Sequence, residues 1–130
     1  MIKKIDHVGI AVKSVDSAIS FYEEMLGGKL VSKDREEGQK LISAKVSIGD
    51  SMLEIMESLS VDGVIAKFIE SKGEGIHHLS LRVENFEGFL NELEGKGVKI
   101  VGKEVTPERK IAFIHPKNTS GVLIEILEKN

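Results

Sequence analysis

The chain has 130 residues, 41% hydrophobic and 30% charged, with a net charge of −3; this is the composition of a folded globule, and it excludes a disordered segment and a basic nucleic-acid binder. There is no cysteine, so disulfides and thiolate chemistry are excluded, and any metal must sit on imidazole and carboxylate. No apolar run approaches the roughly 20 residues of a membrane span, and Met1-Ile2-Lys3-Lys4 lacks the apolar core of a signal peptide, so a cytoplasmic protein is expected.

In chain order, Ile5 to Val12 alternates like a strand, with Val8, Ile10 and Val12 on one face and His7, Gly9 and Ala11 on the other. The small Gly9 and Ala11 are expected to leave room beside His7. A helix follows, predicted from the stripe Ala18, Phe21, Tyr22, Met25 and Leu26, capped by Ser14 or Asp16 and stopped by Gly27-Gly28. Strands are expected near 29–34, 40–49 and 51–57. Val61, Val64, Ile65, Phe68 and Ile69 predict a linking helix over about 61–72, ending before Gly73-Glu74-Gly75. The pattern then restarts. Ile76 to Val83 is a strand with Leu79, Leu81 and Val83 on one face and His78, Ser80 and Arg82 on the other. Phe86, Phe89, Leu90 and Leu93 form the stripe of a helix that Asn85 can cap, before strands near 98–104, 111–116 and 121–128.

This is an internal repeat. Asp6-His7-Val8 aligns with His77-His78-Leu79 at an offset of 78 − 7 = 71, and Leu53-Glu54-Ile55 aligns with Ile124-Glu125-Ile126 at 125 − 54 = 71. Each half therefore reads as strand, helix and three strands, with module 1 over about 3–58 and module 2 over about 75–130 of a single domain, 1–130. Glu54 and Glu125 interrupt otherwise apolar strands. A buried carboxylate is costly unless it is paired, hydrogen-bonded or bound to a metal. Two imidazoles and two carboxylates related by one offset make a plausible first shell for a divalent cation. A solvated glutamate or a structural histidine is the ordinary reading of each residue alone. His77 falls on the helix-facing side and reads as packed; His115, before Pro116, reads as a strand-end or substrate-pocket residue.

At these residues, and along Ala66 to Leu79 and Ile111 to Glu125, the chain resembles the glyoxalase-like (vicinal oxygen chelate) superfamily and, within it, the methylmalonyl-CoA epimerase family. The resemblance implies an α+β fold of two βαβββ modules whose mixed sheet curls around a metal. It implies metal ligands at His7, Glu54, His78 and Glu125, with Glu125 also the catalytic base. It further implies a divalent ion (cobalt first, then manganese, nickel or zinc), an acyl-CoA substrate epimerised at its α-carbon, and a homodimer. Neither nucleic acid nor a membrane is expected as a partner. Some members carry a second acid–base glutamate on the third strand, at about the position of Leu41 here, and the glycine-rich loop before the seventh strand is shortened here to Val105–Lys110. Arg82, Arg109, Lys110 and Lys117 are the cations available to an anionic CoA. The same residues leave two alternatives: a glyoxalase I-type lactoylglutathione lyase, weakened by Ala11 where such enzymes carry arginine, and a metal-free ligand-sequestering protein of the same fold.

Overall fold

The computed structural model describes residues 1–130 as eight strands and three helices, in the order strand, helix, three strands, linking helix, strand, helix, three strands. The expected α+β pattern of two βαβββ modules is therefore present. No helix is long and apolar enough to cross a membrane. The chain forms two compact units, residues 7–77 and residues 1–6 with 78–130.

In the first of these units, the later part of β1 (Ile2–Ala11) pairs in parallel with β4 (Ser51–Ser58), bringing Gly9 opposite Glu54. β3 (Leu41–Ile48) runs antiparallel to β4, and β2 (Lys29–Glu36) antiparallel to β3. Helix α1 (Val15–Glu24) starts at Ser14, whose Oγ accepts from the Ser17 N–H at 3.2 Å. Its buried face differs from the expected stripe. Val15 and Ile19 are buried, with Ala18 and Tyr22 packed beside them, over Val12, Ala44, Val46 and Ile55. Phe21, Met25 and Leu26 are more than half exposed. The physical reason is length: the helix ends at Glu24, and positions i, i+3, i+4 and i+7 from Val15 already cover the apolar sheet face beneath it.

The linking helix α2 (Val64–Lys72) begins later than expected, after Gly63, and Val61 is exposed. The preceding turn is held by Asp62, which accepts from Ser60 and from Lys40 Nζ; the Ser60 hydroxyl, and then Lys40, lower its pKa to about 2. Ile65 is buried with Ala11, Leu41 and Met56, and Phe68 and Ile69 close that cluster.

The second unit repeats the design. β5 (Gly75–Val83) pairs in parallel with β8 (Ile124–Lys129), with Ser80 opposite Glu125. β7 (Arg109–Ile114) and β6 (Ile100–Val105) extend the sheet antiparallel, joined by a tight turn in which the Thr106 N–H donates to the Arg109 carbonyl. Helix α3 (Phe86–Gly95) is capped by Asn85 and uses the expected stripe: Phe86 and Leu90 are buried, and Phe89 and Leu93 pack with them on Val83, Ala112, Ile114 and Ile126. Phe86 is completely buried, an apolar burial worth roughly 1.5–3 kcal/mol. The first six residues of the chain belong to this unit, where the Glu84 N–H donates to the Met1 carbonyl.

Candidate metal centre and active site

Each candidate ligand sits on a strand, where ladder hydrogen bonds fix the backbone. His7 is 7% exposed. Its Nε2 lies 3.2 Å from Glu54 Oε1, and Glu54 Oε2 accepts from Ser43 Oγ at 2.8 Å. Both Glu54 oxygens are thus engaged, and the Glu54 side chain is 15% exposed. Ser43 reaches Glu54 because Lys45 is the direct partner of Glu54 on β3, and Ser43 lies two residues along on the same face.

His78 is 5% exposed, with its ring edge-to-face to Phe113 at 6.5 Å between centroids. Glu125 is 7% exposed, and its Oε1 accepts from Ser80 Oγ at 2.7 Å; Ser80 itself has no solvent exposure. Within the unit of residues 7–77, His7 and Glu54 thus offer an imidazole nitrogen and a carboxylate oxygen side by side.

The donor set fits a divalent ion. Two ligand atoms that would share one metal at bonds of about 2.1 Å lie at most about 4.2 Å apart, and His7 Nε2 and Glu54 Oε1 are 3.2 Å apart. Imidazole nitrogen and carboxylate oxygen suit cobalt, manganese, nickel and zinc alike, so the chemistry of the ligands selects no single metal.

Other residues fall elsewhere. His77 is packed, as expected, but on the linking helix: its ring lies against Phe68 of α2, centroids 4.9 Å apart. His115 follows β7 and caps a short 3-10 turn, its Nδ1 accepting from the Lys117 N–H at 3.0 Å. Arg82 is held by Asp6: its Nε and Nη2 both donate to Asp6 Oδ1, at 2.8 and 2.5 Å, so the cation already has an anion. Ala11 does not open space beside His7; it is fully buried against Leu41, Met56 and Ile65. Leu41 is buried in the same cluster. Ser43 and the hydrogen-bonding roles of both serines were missed from the sequence. The available signal was a small polar side chain on a mid-strand position sharing a face with a carboxylate.

The comparisons converge on one family. The model of the Glyoxalase/Bleomycin resistance protein/Dioxygenase superfamily matches residues 4–126. The YqjC protein of Bacillus subtilis is 36% identical over 128 residues, covering 96% of this chain and 91% of that one. The crystal structure of methylmalonyl-CoA epimerase from Mycobacterium tuberculosis superimposes with a TM-score of 0.90 at 34% identity, covering 99% of this chain and 89% of that one. A variant of Streptomyces coelicolor methylmalonyl-CoA epimerase, in complex with 2-nitronate-propionyl-CoA, also gives 0.90 at 27% identity, covering 99% of each chain. With its doubled βαβββ pattern and a family match along nearly its whole length, the chain belongs to the Glyoxalase/Bleomycin resistance protein/Dioxygenase superfamily.

Proposed function

We propose that the protein is a metal-dependent methylmalonyl-CoA epimerase. The observation that carries this reading is the close pairing of His7 with Glu54 in a chain 34% identical to a methylmalonyl-CoA epimerase over nearly its full length. We assign metal ligation to His7, Glu54, His78 and Glu125, cobalt being the first metal to test. Such an ion, when bound, supplies Lewis acidity that favours negative charge on the thioester oxygen.

The chain's own groups then do the proton work. The hydrogen between a thioester and a carboxylate is acidic because loss of the proton delocalises the carbon's electron pair into the thioester carbonyl. Glu125 is the base that takes it, and a positioned base contributes roughly 100- to 10,000-fold. Burial among apolar strands excludes bulk water that would otherwise compete for the proton. Inversion also needs a proton at the opposite face. Leu41 offers none, and Glu54 is the other carboxylate of the ligand set, so we assign that proton to Glu54. A homodimer, expected by analogy with related enzymes, would show in sedimentation equilibrium as twice the 14.3 kDa chain mass.

The deciding experiment is α-proton exchange of methylmalonyl-CoA in deuterated water, with metal-stripped protein and then with cobalt restored. Cobalt-dependent deuterium uptake with racemisation is expected. Absence of uptake with every divalent metal would remove the epimerase reading and turn attention to the glutathione hemithioacetal isomerase and ligand-sequestering alternatives.

A further inference from the structure

The two modules carry opposite chemistry at matching strand ends. Leu41 pairs with Ser58 in the first module, and Arg109 pairs with Lys129 in the second. Ser58 and Lys129 are related by the repeat offset, 129 − 58 = 71, so Arg109 is the counterpart of Leu41. Arg82 is likewise the counterpart of Ala11, 82 − 11 = 71. In the first module Ala11 and Leu41 are buried with Met56 and with Ile65 of the linking helix α2. In the second module their counterparts are both arginines, Arg82 with its side chain 33% exposed and Arg109 half-buried. One module fills this end of its sheet with apolar packing; the other places positive charge there.

The charges run against the ordinary rule for a strand pair. Arg109 and Lys129 stand directly opposite each other, and like charges in that position repel. On the other face of the same two strands Lys110 stands opposite Glu128, a complementary pair. Asp6 is the anion held among the cations: Arg82 Nε and Nη2 donate to its Oδ1, and Lys129 Nζ lies 3.6 Å from the same oxygen. A single carboxylate does not balance three cations, and Arg109 forms no ion pair.

Alternation puts Arg82 on the strand face of His78 and Ser80, Lys129 on that of Glu125, and Arg109 on that of Phe113, which pairs with Glu125. Each cation lies four residues along its own strand from His78, Glu125 or Phe113, about 13 Å at roughly 3.3 Å per residue. This spacing suits a ligand whose reacting carbon lies at Glu125 and whose anionic groups sit at the end of a flexible arm. An acyl-CoA has that form, its thioester and its phosphates being separated by the pantetheine arm.

We propose that Arg82, Arg109 and Lys129 form the subsite for the phosphate groups of the acyl-CoA, with Asp6 holding Arg82 in place. This deepens the epimerase reading and rests on it for the substrate. The planar fork of an arginine donates two parallel hydrogen bonds to phosphate, and Arg109 is the arginine without an anion of its own. A phosphate lying between Arg109 and Lys129 relieves the repulsion between them.

The test compares Arg109→Gln with the parent protein on methylmalonyl-CoA and on methylmalonyl-pantetheine, which lacks the phosphates, and by calorimetry with CoA alone. Arg109→Gln should lower kcat/KM for the CoA thioester about tenfold relative to the pantetheine thioester, the size of one lost hydrogen bond to a charged group. CoA binding should weaken by a similar factor. Arg109→Lys, which keeps the charge without the fork, should recover part of both losses. The unfolding temperature should not fall, because the charge removed faces a like charge. An equal loss on the two thioesters, or unchanged CoA binding, overturns the subsite. So does a parent protein that turns over both thioesters equally well. If the parent exchanges the α-hydrogen of neither, the epimerase reading falls, while the dependence of CoA binding on Arg109 still decides the subsite by itself.

Discussion

The two modules carry matching glutamates in unlike settings. Glu54 has one oxygen against His7 and the other against Ser43. Glu125 is held at Oε1 by Ser80, from the strand beside it. The repeat thus places the same residue twice, and these partners differ: His7 and Ser43 at Glu54, Ser80 at Glu125.

The largest expected effect is at Glu125, which we assign as the base. Glu125→Gln keeps an oxygen donor but cannot accept a proton, and should reduce both deuterium uptake and racemisation by about 100- to 10,000-fold. Glu54→Gln should behave differently. Racemisation should fall by about 100-fold, while exchange of one enantiomer through Glu125 persists within about tenfold of the parent. Following deuterium uptake separately from loss of optical activity distinguishes the two. Full turnover in Glu54→Gln would confine Glu54 to ligation and leave the second face to another donor.

A smaller effect is expected at Ser43. The hydroxyl orients a ligand, and removal of such outer partners typically costs about 10- to 100-fold in metal affinity. Ser43→Ala should weaken cobalt binding by about that factor while kcat at saturating cobalt changes by less than about threefold. Unchanged cobalt affinity in Ser43→Ala would remove the orienting role of this hydroxyl.

The candidate residues were legible because the repeat sets four chemically apt side chains at one offset, and alternation along a strand fixes their faces. The helix stripe of the second module was legible for a similar reason: Phe86, Phe89, Leu90 and Leu93 are the apolar residues available to it. In α1 the pattern was ambiguous, since Phe21, Met25 and Leu26 are as apolar as Val15, Ala18, Ile19 and Tyr22. The offset resolves it. Subtracting 71 from 86, 89, 90 and 93 gives 15, 18, 19 and 22, the residues that pack. The outer positions diverge because they answer to solvent: Phe21 and Met25 correspond to Glu92 and Lys96, which form an exposed ion pair. Ala11 and Leu41 were harder to place, because their packing is set by α2, an element with no repeat mate. The serine hydrogen bonds depend on register between strands distant in sequence, which periodicity does not report.

The smallest effect concerns a feature that both modules share. The Val15 N–H donates to Glu57 Oε1 at 2.8 Å, and the Phe86 N–H donates to Glu128 Oε1 at 3.0 Å. Donors and acceptors keep the same offset, 86 − 15 = 71 and 128 − 57 = 71, so each module closes the start of its helix with a carboxylate from its last strand. An N-terminal helix N–H is otherwise unpaired, and a negative charge there is favoured by the helix dipole. Glu57→Ala and Glu128→Ala should each lower stability by about 0.5–2 kcal/mol in chemical denaturation. Ser14 and Asn85 still cap the next N–H groups, which keeps the loss at the lower end. Glu57→Gln and Glu128→Gln retain the acceptor and remove the charge, so they should recover the part of the loss due to the hydrogen bond. Similar losses in the two modules would mark this contact as part of the repeat's architecture. A loss confined to one of them would mean that its mate is held in place by the neighbouring cap alone.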